Sequence, residues 1–246
     1  MMRILGIIPA RYGSSRFLGK ALADVAGMTL VERVYRQAAQ ARCLASLIVA
    51  TDDQRIFDHV SEFGGRVMMT STEHPSGTDR CAEVLANVTD QFDAVINIQG
   101  DEPLIDPSSI DLLGNLLAAP DAEVATLVFK GATEHDYSDV NAIKCVASEN
   151  GTALYFSRAP LPHFRDGVPD MGKVLLHVGI YGYRADVLPR LAAMPEGELE
   201  KAERLEQLRW LANGITIKVA QTTHRSRGID TPQDLERLLA EGHFKG

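Results

Sequence analysis

The sequence predicts an α/β fold with a mainly parallel central sheet, helices on both of its faces, and an inserted, mainly antiparallel β subregion. Two observations carry the parallel part. Short, β-branched apolar runs alternate with helical stripes through the first half of the chain, and the connections between them are short. That is the pattern of right-handed strand–helix–strand crossovers. A third observation marks the subregion: after Ala142 the apolar pattern changes to period two around Glu149-Asn150-Gly151, a hairpin signal.

The elements follow in order. Arg3 to Pro9 is short, β-branched and free of internal charge, so it reads as a buried strand, and a turn-rich loop follows it from Ala10 to Lys20. Thr29 to Arg42 carries Leu30, Val31, Val34, Tyr35, Ala38 and Ala41 on one stripe, which predicts the first crossover helix. Ser46–Thr51 is a second strand, and a helix runs from Asp52-Asp53 to about Phe63, ended by Gly64-Gly65. Arg66–Met69 is a third strand, and about Thr78 to Val88 is a helix. Asp93–Ile98 is a fourth strand that runs straight into Gln99-Gly-Asp-Glu-Pro103. A helix at Pro107–Leu117 and a strand at Val124–Phe129 complete this part. Ala142–Val146 and Thr152–Phe156 form the hairpin, and the proline-rich stretch Ser157 to Pro162 opens a polar loop to Lys173. His177–Tyr183 alternates again, helices are expected at about Arg184–Ala193 and Lys201–Asn213, and Ile215–Val219 is the last strand. Thr231-Pro232-Gln233-Asp234 starts the closing helix, with threonine as cap and proline at the first position. No repeat, linker or low-complexity segment interrupts the chain, so a single domain over 1–246 is expected, with the subregion at about 140–213.

Composition narrows the function. The formal net charge is -8, against a broad basic face and hence against nucleic acid as a partner. No apolar stretch has the length of a membrane span and no signal-peptide pattern opens the chain, so a cytoplasmic protein without a membrane partner is expected. Cys43, Cys81 and Cys145 are widely spaced and form no CxxC pair, which predicts buried, inert thiols rather than a disulfide or zinc site.

Within this acidic chain the stretch from Arg3 to Lys20 has four positive charges and no acidic residue. A glycine- and serine-rich loop with Arg11, Arg16 and Lys20 at the carboxyl edge of a sheet calls for an anion, and phosphate is the natural candidate. It is not a Walker loop, because five residues separate Gly13 from Gly19 and Ala21 follows Lys20. Nor does a G-x-G-x-x-G dinucleotide fingerprint occur at this turn. Asp101 ends the fourth strand at the same edge, and Asp230 precedes the capped helix. Either is a candidate magnesium ligand, since that ion prefers one or two carboxylates together with phosphate oxygens. Each also has an ordinary reading, as a turn residue or as helix-terminus electrostatics. Ser76-Gly77-Thr78 is compatible with simple helix capping. Arg158, His177 and Glu206-Gln207, taken singly, are compatible with structural roles.

Together the segments carry more. Pro9-Ala-Arg-Tyr-Gly-Ser-Ser-Arg16, Gly19-Lys20, Ala50-Thr-Asp52, Ser76-Gly-Thr78, Gln99-Gly-Asp-Glu-Pro103, Leu154-Tyr-Phe-Ser-Arg-Ala-Pro160, His177-Val-Gly-Ile-Tyr-Gly-Tyr183, Leu205-Glu-Gln-Leu-Arg209 and Asp230-Thr-Pro232 occur in one order. In that order the chain resembles the 3-deoxy-manno-octulosonate (KDO) cytidylyltransferase family, the CMP-KDO synthetases, from Ile4 to about Leu239. The resemblance implies a Rossmann-like nucleotidyltransferase fold and a transferase that uses CTP and Mg2+ to activate KDO for lipopolysaccharide biosynthesis. It implies CTP contacts from Pro9, Ala10, Arg11, Arg16, Lys20, Ser76, Gly77 and Gln99, and metal ligation by Asp101 and Asp230. Arg11, Lys20, Asp101 and Asp230 would act in catalysis. Arg158, His177, Tyr181, Glu206 and Gln207 would line the sugar-acid pocket, and a homodimer would form around residues 160 to 185. The 8-amino analogue of KDO, and a chain that keeps the fold but has impaired catalysis, remain open alternatives. One departure stands in the phosphate loop: the family usually reads Pro-Gly-Lys-Pro, whereas this chain has Leu18-Gly19-Lys20-Ala21.

Overall fold

The structure, a computed structural model, describes residues 2–225 and 227–244. In chain order its elements are β1 (Ile4–Ala10), β2 (Asp24–Val25), β3 (Met28–Thr29), α1 (Leu30–Ala38), β4 (Leu44–Thr51), α2 (Gln54–Glu62), β5 (Val67–Met69), α3 (Gly77–Asn87), β6 (Ala94–Asn97) and α4 (Pro107–Leu117). There follow β7 (Val124–Lys130), α5 (Glu134–Ser138), β8 (Lys144–Ala147), β9 (Ala153–Ser157), β10 (Leu175–Arg184), α6 (Leu188–Ala192), α7 (Glu198–Glu203), α8 (Gln207–Ala212), β11 (Ile217–Thr222) and α9 (Pro232–Ala240). The chain divides into two compact units, residues 1–111 with 226–246, and residues 112–225.

In the first unit β1 lies between β6 and β4, β5 follows β4, and every one of these pairings is parallel. Strands covered on both faces need apolar residues without alternation, and Ile4, Leu5, Ile7 and Ile8 of β1 are accordingly all buried. The crossover helices begin on the expected caps: Thr29 accepts from Glu32 N–H, Asp53 from Arg55 N–H, and Ser76 from the N–H groups of Thr78 and Asp79. Helix α1 buries Leu30, Val31, Val34 and Ala38 but ends at Ala38 rather than Arg42, because Gln40 and Ala41 turn back to the carbonyls of Gln37 and Ala38. The hairpin β2–β3, turning on Ala26 and Gly27, is too short to leave a period in the sequence. Helix α9 closes the unit with the full capping box read from Thr231 and Asp234.

In the second unit β7 pairs with β11 in parallel and with β10 antiparallel, while β8 pairs antiparallel with both β10 and β9. The antiparallel strands therefore fall in the stretch where alternation begins. The single helix expected over Lys201–Asn213 is a correction: it is two short helices, α7 and α8, parted at Arg204, whose φ of 52° leaves the right-handed helix. The break folds α8 back so that Arg209 bonds both carboxylate oxygens of Glu200, at 2.6 Å each. Glu206 thus caps α8 instead of lying within a helix, and Gln207 is its first residue. Helix α5 was not expected; its signal is the box of Thr133 and Asp136 on a stretch too short for periodicity. The thiols of Cys81 and Cys145 are buried, whereas Cys43 is only partly so; burial and the neighbouring Asp111 push its thiol up to about 12. Among the described residues no helix is long and apolar enough to cross a membrane.

Candidate active site

The site grows from the parallel pairing of β1 with β6, which puts the carboxyl ends of both strands side by side. Ile7 pairs with Asn97, and Ile98 N–H continues the ladder to the Ile7 carbonyl at 2.8 Å. The next turn then passes close to β1: a Cβ on Gly100 would stand 2.6 Å from the Pro9 carbonyl oxygen, so only glycine fits there. Asp101 follows, and its carbonyl accepts from Ile229 N–H at 2.9 Å, which brings Asp230 to the same place from the far end of the chain.

The loop after β1 is held by its own backbone. Gly19 N–H bonds the Tyr12 carbonyl at 2.9 Å, and Gly19, with φ of 72°, starts a single tight turn over Lys20–Leu22. Tyr12 packs against Gly19 on one side, and the Arg55 guanidinium lies 3.4 Å from the centre of its ring. Arg55 is itself held by both oxygens of Asp53. Leu18 projects outward, 69 % exposed, and Ala21 is buried.

These segments enclose a cavity of about 330 Å³. Pro9, Ala10, Arg11, Arg16, Lys20, Ser76, Gly77, Gln99, Asp101 and Asp230 all line it, so every residue expected at the nucleotide or metal is in one place. Lys20 Nζ lies 2.8 Å from Asp101 Oδ2 and 3.4 Å from Asp230 Oδ1, and Arg16 pairs with Asp230 at 2.9 Å. Two carboxylates and two cations thereby form one mutually neutralising cluster. Ser14, Ser15, His74 and Arg80 also line the cavity, although sequence reasoning did not single them out. Arg80 is buried, bonds Thr70 Oγ1, and pairs with Asp52 at 2.8 Å, which ties α3 to the end of β4. Asn97 lies under Gly77, where a Cβ would meet its amide nitrogen at 3.2 Å, and its buried Oδ1 has no hydrogen-bond partner among the described residues.

The residues expected at the sugar lie in the second unit. His177 Nε2 is 3.0 Å from Thr126 Oγ1, whose hydroxyl donates to the Ile180 carbonyl at 2.7 Å. The threonine oxygen is thus the acceptor and His177 carries its proton on Nε2. The ring packs against Phe156 and Tyr181, and burial pushes its pKa down to about 3, so it is neutral. Among the described residues the buried hydroxyl of Tyr181, 8 % exposed, and the buried Gln207 Nε2 and Trp210 Nε1 have no hydrogen-bond partner. Tyr181 meets Trp210 edge to face at 5.3 Å between ring centres. Leaving such a group unsatisfied costs about 1–3 kcal/mol. Trp210 had no sequence signal beyond its helical spacing from Gln207. Arg158 sits apart from these donors in its bonding: its guanidinium donates to the carbonyls of Glu203 at 2.6 Å, Val140 at 2.9 Å and Arg204 at 3.5 Å.

The family profile described as cytidylyltransferase matches residues 5–217. A 3-deoxy-manno-octulosonate cytidylyltransferase of Geobacter sulfurreducens is 49 % identical over 97 % of this chain and 98 % of its own. Its counterpart from Parabacteroides distasonis is 45 % identical over 98 % of both chains. A solved structure of CMP:2-keto-3-deoxy-manno-octonic acid synthetase, complexed with CTP, superposes with a TM-score of 0.91 at 41 % identity, covering 97 % of this chain and 98 % of the other. A 4-diphosphocytidyl-2C-methyl-D-erythritol synthase from Anaerococcus prevotii shares the fold alone, at 14 % identity over 98 % of both chains and a TM-score of 0.62.

Proposed function

This chain belongs to the cytidylyltransferase family, and from that premise we propose that it transfers the cytidylyl group of CTP to 3-deoxy-manno-octulosonate, giving the CMP-sugar and pyrophosphate for lipopolysaccharide biosynthesis. The observation that carries the reading is the contact of Lys20 and Arg16 with Asp101 and Asp230 in the cavity that also holds Ser76, Gly77 and Gln99.

A triphosphate brings several negative charges into this balanced cluster. Lys20 and Arg16 then turn from the carboxylates to phosphate oxygens, and Arg11, exposed in the same cavity, adds a third cation. Asp101 and Asp230 are freed by the same exchange. Two carboxylates that already converge on one cationic nitrogen suit Mg2+, which takes one or two carboxylates beside phosphate oxygens and water. When held there, the ion supplies charge neutralisation and polarisation of the α-phosphate. The anomeric hydroxyl of the sugar acid attacks the α-phosphorus and loses its proton to solvent, and the bond to the β-phosphate breaks. Arg11, Arg16 and Lys20 favour this step by holding the departing pyrophosphate, since phosphoryl transfer asks chiefly for positioning and electrostatics. Ser76, Gly77 and Gln99 hold the base and ribose.

For the sugar, Tyr181, Gln207 and Trp210 offer donors to its hydroxyls, with neutral His177 and Glu206 beside them. Arg158 retains N–H groups beyond its three carbonyl bonds and serves the carboxylate. A cytoplasmic homodimer formed around residues 160 to 185, where Val168 is 83 % exposed, belongs to the same proposal and is tested by light scattering. The decisive assay is pyrophosphate release from CTP with Mg2+, run without sugar, with KDO and with its 8-amino analogue. Release that requires KDO supports the reading, preference for the amino sugar moves the substrate to that analogue, and no release with either overturns it.

A further inference from the structure

The nucleotide cavity contains a histidine for which the mechanism above has no use. We infer that His74 is a specificity-determining residue that accepts a hydrogen bond from a donor on the nucleoside half of the nucleotide. This rests on reading the cavity as the nucleotide site.

His74 stands two residues before Ser76 and three before Gly77, on the turn that leads into α3, and it lines the same cavity as both. Its ring is not free to choose an orientation. Nε2 bonds Glu83 Oε2 on the second turn of α3, and the same oxygen accepts from Ser71 N–H at 2.9 Å. The carboxylate is thus fixed from the loop on one side and carries the histidine on the other. Burial pushes the Glu83 carboxyl up, but the Ser71 N–H, the His74 bond and the charge of Arg80 pull it below its ordinary range, so it is ionised. An ionised carboxylate only accepts, so Nε2 carries the proton in this bond, and Nδ1 is the ring nitrogen left to meet a ligand. A pocket histidine oriented in this way recognises a donor. CTP has two kinds on its nucleoside half, the exocyclic amine of the base and the ribose hydroxyls. Uracil replaces the amine with a carbonyl oxygen, which would face Nδ1 as acceptor against acceptor.

The experiment measures kcat/KM for CTP, UTP and dCTP, with KDO and Mg2+, in the wild type and in His74→Ala, His74→Asn and Glu83→Ala. Loss of one such bond is expected to lower selectivity about 10-fold. His74→Ala should reduce the preference for CTP over UTP by that factor if the amine is the donor, or over dCTP if the ribose is. The loss should appear in the CTP KM, with the KDO KM unchanged. His74→Asn places an amide oxygen near the former Nδ1 and should restore part of the preference, while Glu83→Ala should lose part of it. If folded His74→Ala, checked by its thermal midpoint, keeps both ratios or prefers CTP more strongly than before, the inference is wrong. A wild type without CTP turnover would instead overturn the underlying reading of the cavity.

Discussion

Lys20 donates to Asp101 across 2.8 Å, joining the loop after β1 to the turn after β6. The same ammonium reaches Asp230 at 3.4 Å, so one cation offsets the repulsion between two carboxylates brought from distant parts of the sequence.

Asp101→Asn leaves Lys20 an oxygen to bond but removes a charge. Pyrophosphate release is expected to fall at least ~100-fold, as befits loss of several kcal/mol of transition-state stabilisation. The partly exposed ion pair contributes only about 1 kcal/mol or less, so the thermal midpoint should barely move. Near-normal turnover would remove the metal assignment.

Arg158→Ala is expected to act twice. Its side chain ties β9 to the carbonyls of Glu203 and Val140, so a loss of about 1–3 kcal/mol in stability should accompany the change. If the remaining N–H groups bind the sugar acid, the KDO KM should rise about 10-fold or more while the CTP KM stays put. An unchanged KDO KM would leave the residue with a tethering role alone.

His177 makes stability depend on pH. Its pKa falls from 6.5 in the unfolded chain to about 3 in the fold, because burial disfavours the charged ring. Between those values the unfolded chain takes up a proton that the folded one refuses, so stability drops as pH falls through this window. From pH 7 to pH 5 the contribution is about 2 kcal/mol. Urea unfolding at the two pH values should therefore show a smaller drop in His177→Gln than in the wild type. Equal drops would mean that the ring protonates without hindrance.

Leu18→Pro probes the stiffness of the phosphate loop. Leu18 is exposed, so its removal costs little packing, and a fixed φ narrows the ensemble from which the loop must close. An improvement of about 0.4–1 kcal/mol is expected, read as a CTP KM lowered up to about fivefold. An unchanged KM would show that the backbone bonds of Gly19 and the packing of Tyr12 already hold the loop in its working form, and a raised KM that proline distorts it.

Much of this arrangement was legible in the residues. Continuous apolar runs such as Ile4–Ala10 and capped starts such as Thr231-Pro232 report their own environment, and a parallel pairing then puts Asp101 beside Lys20 with no further information. Order in the sequence also sufficed to name Ser76, Gly77 and Gln99. The break at Arg204 was hidden because α7 and α8 share one helical pattern, and the pairing of Glu200 with Arg209 across the bend leaves no local signal. His74, Arg80 and Trp210 were missed for a related reason. Each is defined by a partner remote in the sequence or by a lack of one, and neither leaves a local pattern.

The hydrogen bond from Ile229 to the Asp101 carbonyl also sets an order of events during synthesis. By the time β1 to β6 have emerged from a ribosome, the parallel strands of the first unit and the basic loop have all been made, but the second carboxylate is still more than a hundred residues from being made. A nascent chain at that stage has a place for phosphate and only half of the proposed acidic pair. Full assembly of the site thus waits for the return of the late segment around Asp230, whatever the earlier strands have already achieved.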